Sequence, residues 1–221
     1  MSSLPFFLDF CEKIEADLAD QSSFGRLSPW IVRHTRLSGS PYSFADHEYQ
    51  EDIINSDHPD AGIIKPSQVG ATEMTIRMVL AFLATNDSTT AMYLMPTLGD
   101  AQLMSKSRID PTIEDSTLLS SLLKSGSDSA SFKRIGSSKL HMGGTMGKAI
   151  ISIPVDLLVI DELDFCDTEK VATAESRLTH SRFKFDMDSS GVHVRGIKRR
   201  FSTPTAEGFG VDAFYAMSDQ R

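Results

Sequence analysis

A short apolar strand, a loop of small residues and an amphipathic helix follow one another in the first half of this 221-residue chain. The strand covers residues 62–64 and the loop residues 65–72, and the helix has apolar residues at helical spacing, namely Met74, Met78, Leu80 and Leu83. Consecutive backbone N–H groups and a helix N-terminus can converge on a polyanion, because both carry partial positive charge. The order predicts a phosphate-binding loop, although Gly-Ala-Thr in this place is also typical of a plain turn and helix cap.

The loop differs from the usual phosphate-loop pattern, G-x-x-x-x-G-K-[ST], in the place of its lysine. Lys65 takes the first glycine position, Gly70 the second, Ala71 the usual lysine position and Thr72 the position of the Mg²⁺-binding hydroxyl. The lysine is therefore expected to reach the phosphates from the front of the loop. The other loop residues expected at the nucleotide are Ser67, Gln68, Val69 and Glu73.

A second motif is the continuous apolar run at residues 157–160, which ends in Asp161 and Glu162. Such a run is expected of a strand buried on both faces of a parallel sheet, and open α/β sheets bind ligands at the carboxyl ends of their strands. We expect Asp161 to hold hydrated Mg²⁺ and Glu162 to orient and deprotonate the attacking water. For the dipeptide by itself, a solvated strand-to-loop junction is the alternative.

A third segment runs from residue 197 into Ser202, Thr203, Pro204 and Thr205. It is typical of a strand that ends in small hydroxyl residues and a proline stop. Ser202, Thr203 and Thr205 could hydrogen-bond a γ-phosphate or a nearby water, and so couple the nucleotide state to movement. A plain Ser/Thr-Pro turn is the alternative for this fragment.

The chain resembles the large subunit of the DNA-packaging terminase of tailed bacteriophages, especially its lambda-like branch. The resemblance rests on residues 65–73, 159–164 and 202–205, with support from residues 41–50 and 95–97. It implies a P-loop ATPase of the additional-strand, catalytic-glutamate type, in which a mostly parallel sheet is flanked by helices.

Two features depart from the pattern of that family. Ala71 stands where many members keep a second lysine or another larger residue, and the sequence stops at Arg221, where members continue into an RNase H-like nuclease domain. We expect Asp164 to face solvent or begin a helix, which leaves too few clustered carboxylates for a two-metal nuclease. The sequence therefore predicts a motor without DNA cleavage.

One α/β domain is predicted, with a small antiparallel extension at residues 132–153. Residues 1–60 would form an N-terminal helix, an arm and an adenine-side segment, and residues 61–221 the ATPase core. The predicted helices are 4–18, 47–55, 100–108 and 169–179. The predicted strands beyond the three motifs are 90–95, 132–135, 139–142 and 149–153. The irregular segments are an arm at 21–41 anchored by Trp30, a loop at 125–131, a hairpin turn at Gly143 and Gly144, and an exposed hairpin or loop at 186–191.

Composition limits the possible classes of protein. No apolar run approaches the 18 or so residues of a membrane span and no secretory signal is evident, so we expect the host cell cytoplasm and no membrane partner. Two cysteines fit a reducing compartment. The net charge of −8 argues against a generally basic DNA-binding surface. Local basic patches remain candidates at residues 133–134 and 198–200, unless these are solvated strand faces.

The resemblance implies ATP hydrolysis, with Mg²⁺ as cofactor, coupled to translocation of double-stranded DNA into a procapsid. The implied partners are the portal protein, the procapsid and the terminase small subunit, with a homo-oligomeric ring when active and a monomer in isolation. The alternatives are another P-loop nucleic-acid ATPase of the helicase type and a nucleotide-binding scaffold that does not hydrolyse. Ala71 suggests the scaffold, whereas Glu162 argues against it.

Two further groups of side chains are expected around the nucleotide. Tyr49 and Gln50 are candidates for the adenine contact, with Tyr42 as an alternative ring, although these aromatics could equally be core residues. Negative charge develops on the γ-phosphoryl oxygens during transfer, so an arginine finger is expected. Arg108 is the first choice, supplied from a neighbouring subunit, and Arg177 is the second.

Overall fold

Residues 26–146, 153–186 and 193–217 are described by the computed structural model, and their central feature is a seven-stranded sheet. The strands are β1 Arg36–Leu37, β2 Ser40–Pro41, β3 Asp60–Ile64, β4 Thr90–Thr97, β5 Leu123–Ser129, β6 Phe132–Ile135, β7 Ser138–Met146, β8 Leu157–Asp161, β9 Lys184–Asp186, β10 His193–Arg195 and β11 Ile197–Ser202. The α-helices are α1 Ser28–His34, α2 Tyr49–Asn55, α3 Ala71–Thr85, α4 Leu98–Met104, α5 Asp110–Glu114, α6 Thr117–Leu122, α7 Thr168–Glu175 and α8 Gly210–Ala216.

The sheet has the order β3-β11-β8-β4-β7-β6-β5. Neighbours from β3 to β7 are parallel, whereas β6 and β5 add to the edge in antiparallel fashion. The predicted α/β class with a mostly parallel sheet is therefore confirmed. The carboxyl ends of β3, β11 and β8 lie side by side, because parallel neighbours end at the same edge.

Strand β8 runs through the centre of the sheet with all five of its residues buried. Leu157 and Val159 pack in one hydrophobic cluster with α3, and Leu158 and Ile160 pack in a second cluster with α7. Successive side chains of a strand point to opposite faces, so an uninterrupted apolar run is what a strand covered on both faces requires. Helix α3 is itself buried along most of its length.

The two glycines predicted to form a hairpin turn lie inside a strand instead. Gly143 and Gly144 belong to β7 and pair in parallel with Leu94 and Met95 of β4. The turn that joins β6 to β7 lies earlier, at Gly136, which has a φ of 58°. Gly144 is required for close approach, because a Cβ there would overlap the backbone at Leu98.

The predicted loop at 125–131 is also wrong, because most of it belongs to β5. This Ser-rich strand pairs with β6 through a register shift and forms the outer edge of the sheet. The antiparallel extension is thus built by residues 123–135, while β7 belongs to the parallel part. The predicted strand at 149–153 falls almost entirely outside the described residues.

Other predicted elements have shifted bounds. The arm contains α1 and the β1–β2 hairpin, and Trp30 packs partly buried against the core as expected. The predicted helix at 100–108 begins earlier as α4 and continues as a π-helical turn, Ser105–Ile109. The helix at 169–179 is α7 followed by a 3₁₀ turn, Ser176–His180. The predicted helix at 4–18 and most of the segment at 186–191 lie outside the described residues.

The basic run of β11 is not a solvent-facing patch. Arg199 is fully buried and donates to the carbonyl oxygens of Ser56 and His58 at 2.9 and 2.8 Å, and burial lowers its pKa to about 10. Lys198 and Arg200 form ion pairs with carboxylates, namely Asp60 and Glu175. These side chains therefore join β11 to its neighbours instead of facing DNA.

Lys133, in the second predicted patch, is likewise buried. Its ammonium group lies 2.5 Å from a carboxylate oxygen of both Asp110 and Asp128. It therefore ties β6 to α5 and β5. None of the helices in the described ranges is both long and apolar enough to cross a membrane.

Gly144→Ala is expected to lower the free energy of unfolding by about 1–3 kcal/mol, because the added methyl group would overlap backbone atoms that cannot move independently. Urea unfolding followed by circular dichroism measures the change. Gly99→Ala in α4 is the matched control, since a Cβ there meets its nearest neighbour, Thr97 Oγ1, at an ordinary 3.7 Å. Equal stability of the two variants would contradict the close approach.

Candidate nucleotide-binding site

Three chain segments meet at the carboxyl edge of the sheet. The loop 65–70 leaves β3, Asp161 ends β8 and Ser202 ends β11. The backbone N–H of Lys65 donates to the carbonyl oxygen of Ser202 at 2.9 Å, and Thr203 Oγ1 donates to the carbonyl oxygen of Lys65 at 2.8 Å. The three sequence motifs are therefore brought together by the order of the strands.

The loop turns sharply before it enters α3. Gln68 and Gly70 both have left-handed backbone conformations, with φ values of 62° and 73°. Glycine adopts this conformation at little cost, whereas Gln68 is held in it by the fold. Helix α3 starts directly at Ala71, so its first turn points its N-terminus into the cleft, where the helix dipole favours an anion.

Lys65 bridges the two carboxylates that follow β8. Its Nζ lies 2.7 Å from Asp161 Oδ1 and 3.0 Å from Glu162 Oε1, and the residue is only 7 % exposed. Burial by itself lowers the pKa of Lys65, but the charges and hydrogen bonds of Asp161 and Glu162 outweigh it and raise the pKa. The lysine at the front of the loop is therefore charged and directed at the catalytic edge.

Asp161 is the centre of a set of oxygen atoms. Thr72 Oγ1 lies 3.4 Å from Asp161 Oδ2, and the hydroxyl of Tyr93 donates to the same oxygen at 2.8 Å. A hydroxyl and a carboxylate are hard oxygen ligands of the kind Mg²⁺ binds in phosphate-transfer sites. Thr72 and Asp161 therefore fit the metal role predicted for them.

Tyr93 was not predicted from the sequence. It is fully buried in β4, and burial together with the charge of Asp161 raises its pKa well above the ordinary value. The available signal was a tyrosine within an apolar strand, because a buried phenol needs a hydrogen-bond partner. Tyr93 fixes the orientation of the Asp161 carboxylate.

Glu162 occupies a strained position next to the cavity. Its backbone has a φ of 56°, and the 3₁₀ turn Leu163–Phe165 follows directly. Its side chain is 36 % exposed, whereas that of Asp161 is almost fully buried. The turn thus presents the second carboxylate to the cleft while the first stays at the end of the strand.

A cavity of about 690 Å³ lies in front of these groups, within the range of small-molecule sites. It is lined by residues 65–73, Arg108, Glu162, Phe165 and Thr203. Loop amides, a lysine, a carboxylate and a helix N-terminus converge on it, which is the combination that a nucleotide polyphosphate requires.

Comparison with known proteins agrees with this geometry. Residues 35–221 match the model of the phage terminase large subunit gpA ATPase domain family. The chain belongs to this family. The predicted lambda-like branch stays a prediction. Among curated proteins, no sequence matches this chain.

Solved terminase structures share the fold. The large terminase of bacteriophage HK97 matches with a TM-score of 0.69 and 15 % identity over 87 % of this chain and 40 % of that one. The ATPase domain of the Thermus phage P74-26 large terminase gives 0.54 and 15 % over 78 % and 72 %. The large terminase of another thermophilic bacteriophage gives 0.51 and 16 % over 72 % and 37 %. The chain thus spans 40 % of the length of the HK97 protein, and its fold is that of a terminase P-loop ATPase domain.

In this terminase domain, two of the predicted adenine residues support the phosphate loop. Tyr49 OH and Gln50 Nε2 both donate to the carbonyl oxygen of Val69, at 2.5 and 3.1 Å. The ring of Tyr49 stays partly exposed and Gln50 is buried. Tyr42 is buried in the core with its hydroxyl on Gln50 Oε1 at 2.6 Å, so its ring is not available to stack on a base.

Arg77 was missed by the sequence analysis although it stands behind the same loop. It is fully buried, and its guanidinium lies 4.5 Å from the centre of the Tyr42 ring. It also donates to Glu73 Oε2 at 2.6 Å and to the carbonyl oxygen of Arg36 at 2.6 Å. A single arginine on an otherwise apolar face of α3 was the available signal, since a buried charge needs partners.

The two predicted arginine fingers lie in different places. Arg108, in the π-helical turn, is 52 % exposed at its side chain, lines the cavity of its own chain and forms an ion pair with Glu73. Burial by itself raises the pKa of Glu73, but hydrogen bonds from Arg108 and Arg77 lower it below the ordinary value. Arg177 lies at the opposite edge of the sheet, where its carbonyl oxygen accepts from Val155, ahead of β8. The structure therefore does not bring Arg177 to its own site.

The predicted coupling hydroxyls differ in what they contact. Thr203 lines the cavity, whereas Ser202 is buried and accepts a hydrogen bond from the N–H of Asp164 at 3.1 Å. Thr205 donates to Asp164 Oδ2 through both its N–H and its hydroxyl, at 2.8 and 3.0 Å. Asp164 is buried, so its prediction as a solvent-facing residue is wrong.

Lys65→Ala is expected to abolish most ATP hydrolysis, because Asp161 and Glu162 lose the ammonium group that neutralises them and the phosphates lose their cation. The check is a steady-state ATPase assay with circular dichroism to verify the fold. Lys139→Ala, an exposed lysine of β7 at the other end of the sheet, is the control. Hydrolysis at the parental rate in Lys65→Ala would contradict the phosphate-loop assignment, and adding Ala71→Lys is not expected to restore full activity.

Proposed function

We propose that this terminase ATPase domain hydrolyses ATP with Mg²⁺ and that hydrolysis drives double-stranded DNA into a procapsid. One observation carries the ATPase assignment: Lys65 from the phosphate loop contacts both Asp161 and Glu162 at the edge of a cavity with nucleotide dimensions. Family membership supports the packaging role.

The first step is capture of the triphosphate by the loop. The left-handed turn at Gly70 and the N-terminus of α3 direct backbone N–H groups at the phosphates, and Lys65 supplies the positive charge. Thr72 and Asp161 would hold Mg²⁺, which supplies neutralisation of charge on the β- and γ-phosphate oxygens when bound. Tyr93 keeps Asp161 Oδ2 oriented toward Thr72.

The second step is activation of water by Glu162. When Lys65 contacts phosphate oxygens, its 3.0 Å contact with Glu162 weakens, and the carboxylate is released to accept a proton. Water then attacks the γ-phosphorus, Glu162 takes the water proton, and the bond to the β-phosphate oxygen breaks, giving ADP and inorganic phosphate. The exposed position of the Glu162 side chain allows this water to approach.

Arg108 is the proposed group that stabilises charge on the γ-phosphoryl oxygens. It was predicted to act on a neighbouring subunit, and its half-exposed guanidinium suits that role. It also lies beside the cavity of its own chain, where Glu73 holds it. The two possibilities differ in how activity depends on protein concentration.

The assembly and location follow from the packaging role as proposals. We propose a homo-oligomeric ring on the portal of the procapsid, DNA delivered with the terminase small subunit, and action in the host cell cytoplasm. The division into an adenine-side segment at 1–60 and a core at 61–221 stays part of this proposal.

The absence of DNA cleavage stays a prediction. Within the described ranges, no group of three or more His, Cys, Asp or Glu side chains is arranged to hold a metal ion. Incubation of the chain with plasmid DNA and Mg²⁺ or Mn²⁺ is the measurement, and nicked or linear DNA would contradict the prediction.

Glu162→Gln is expected to retain nucleotide binding and to lower the hydrolysis rate by about 10²–10⁴-fold, because the amide cannot accept the water proton. Calorimetry with a non-hydrolysable ATP analogue and a phosphate-release assay measure the two properties. Glu169→Gln, an exposed glutamate on α7, is the matched control. Lost affinity with preserved turnover per bound nucleotide would assign Glu162 another role.

Arg108→Ala tests where the finger acts. If it acts in trans, ATPase activity per subunit rises with protein concentration or on addition of portal protein, and the substitution removes that rise while sparing nucleotide binding. Lys106→Ala, in the same π-helical turn, is the control. A rate that is independent of concentration and unchanged in Arg108→Ala would exclude the trans role.

A further inference from the structure

The carboxylate of Asp164 receives three hydrogen bonds from one distant segment. Thr205 N–H and Oγ1 donate to Oδ2 at 2.8 and 3.0 Å, and Val211 N–H donates to Oδ1 at 2.9 Å. These donors follow Asp164 by 41 and 47 residues. Hydrogen bonds to an ionised carboxylate are stronger than those between neutral groups, so both oxygens are held firmly.

The other end of this arrangement is the catalytic turn. Asp164 belongs to the 3₁₀ turn that begins at Glu162, and its N–H donates to Ser202 Oγ at 3.1 Å. A shift of the Asp164 carboxylate would therefore rotate a turn whose first residue is the proposed base. Asp164 stands two residues from Glu162 but faces away from the cavity, into the segment after β11.

The contacts close into a ring that passes through the phosphate loop. Lys65 Nζ contacts Glu162, the Glu162 turn carries Asp164, Asp164 holds Thr205, and Thr203 Oγ1 donates back to the carbonyl oxygen of Lys65. Any change that moves Lys65 or Glu162 when a nucleotide binds must strain or shift the other members.

Helix α8 is joined to this ring at its first turn. Gly210 has a φ of 56°, and a Cβ there would overlap the Asp164 carboxylate. Further along the helix, the Phe214 ring lies so close to Gly62 of β3 that a Cβ at Gly62 would overlap it, and the Arg200 guanidinium lies 4.4 Å from the ring centre. The helix is thus fixed to Asp164 at one end and to β3 and β11 along its side.

We propose that Asp164 is a positioning residue that fixes the Glu162 turn to the 203–205 segment and to α8, so that the nucleotide state of the cleft is transmitted to α8. This inference rests on the proposed ATPase function. It replaces direct phosphate sensing by Ser202 and Thr205 with an indirect path, because both residues contact Asp164 and neither lines the cavity.

The variant Asp164→Asn presents N–H groups to donors that now face a carboxylate, so it breaks part of the three-bond set. We expect kcat for ATP hydrolysis to fall about 10- to 100-fold through misplacement of Glu162. Affinity for a non-hydrolysable ATP analogue should stay within about twofold, because the loop groups are unchanged.

Asp156→Asn is the matched control. Asp156 lies at the opposite end of the same strand and also accepts three hydrogen bonds, from Thr90 N–H, Ser181 Oγ and Arg182 N–H at 3.0, 2.8 and 3.3 Å. It should lose stability in urea as Asp164→Asn does, but keep kcat within about twofold of the parent. Equal loss of kcat in the two variants would overturn the proposal.

A second variant keeps the test informative if Asp164→Asn does not fold. Thr205→Val removes the hydroxyl donor while the backbone donors remain, so a smaller fall in kcat is expected, and a parental kcat would overturn the proposal. Amide hydrogen exchange supplies a separate readout: the non-hydrolysable analogue should slow exchange at residues 210–216 in the parent and not in the Asp164 or Thr205 variants.

The failure of this inference can be separated from failure of the proposed function. If the parent hydrolyses ATP and the folded Asp164→Asn variant retains its kcat and its exchange response, only the role of Asp164 is wrong. If the parent itself hydrolyses no ATP while Glu162→Gln behaves identically, the proposed function fails and the role of Asp164 fails with it.

Discussion

A buried ammonium group shared by two carboxylates holds the site together. Lys65 follows β3, and Asp161 and Glu162 end β8, so a single side chain joins two strands that are separated by β11. Adjacent carboxylates at a buried strand end repel each other and have lost hydration, and a cation at hydrogen-bond distance offsets both effects. The resting site is thus stabilised by the charge that a triphosphate competes for, which links nucleotide binding to movement of the catalytic glutamate.

The parts of the fold that could be predicted from the sequence depend on local patterns. The apolar run before Asp161 specifies a strand covered on both faces, and the small residues between Lys65 and Thr72 specify a turn into a helix. Parallel strands end at one edge, so these motifs were expected to meet, and they do. The positions of Tyr93, Arg77 and Asp164 could not be predicted, because their partners lie tens of residues away and only the packed sheet brings them together.

The wrong predictions share a physical cause, which is that one residue type serves two purposes. Two adjacent glycines permit a hairpin, but they equally permit β7 to pass close beneath the start of α4. A basic run in a strand is typical of a solvated face, but in β11 each charge meets a carboxylate or a set of carbonyl oxygens. Sequence shows the side chains, whereas the choice between these uses is made by neighbours in space.

The position of β3 has a consequence for synthesis of the chain. In the described sheet β3 is an edge strand that pairs with β11, and the two are separated by more than 130 residues of sequence. Such contacts require closure of a long loop and form slowly compared with local ones. A ribosome must therefore release β11 before Lys65 can be placed against Asp161. Shorter nascent or truncated chains, even those that already carry both nucleotide motifs, lack the strand that brings them side by side.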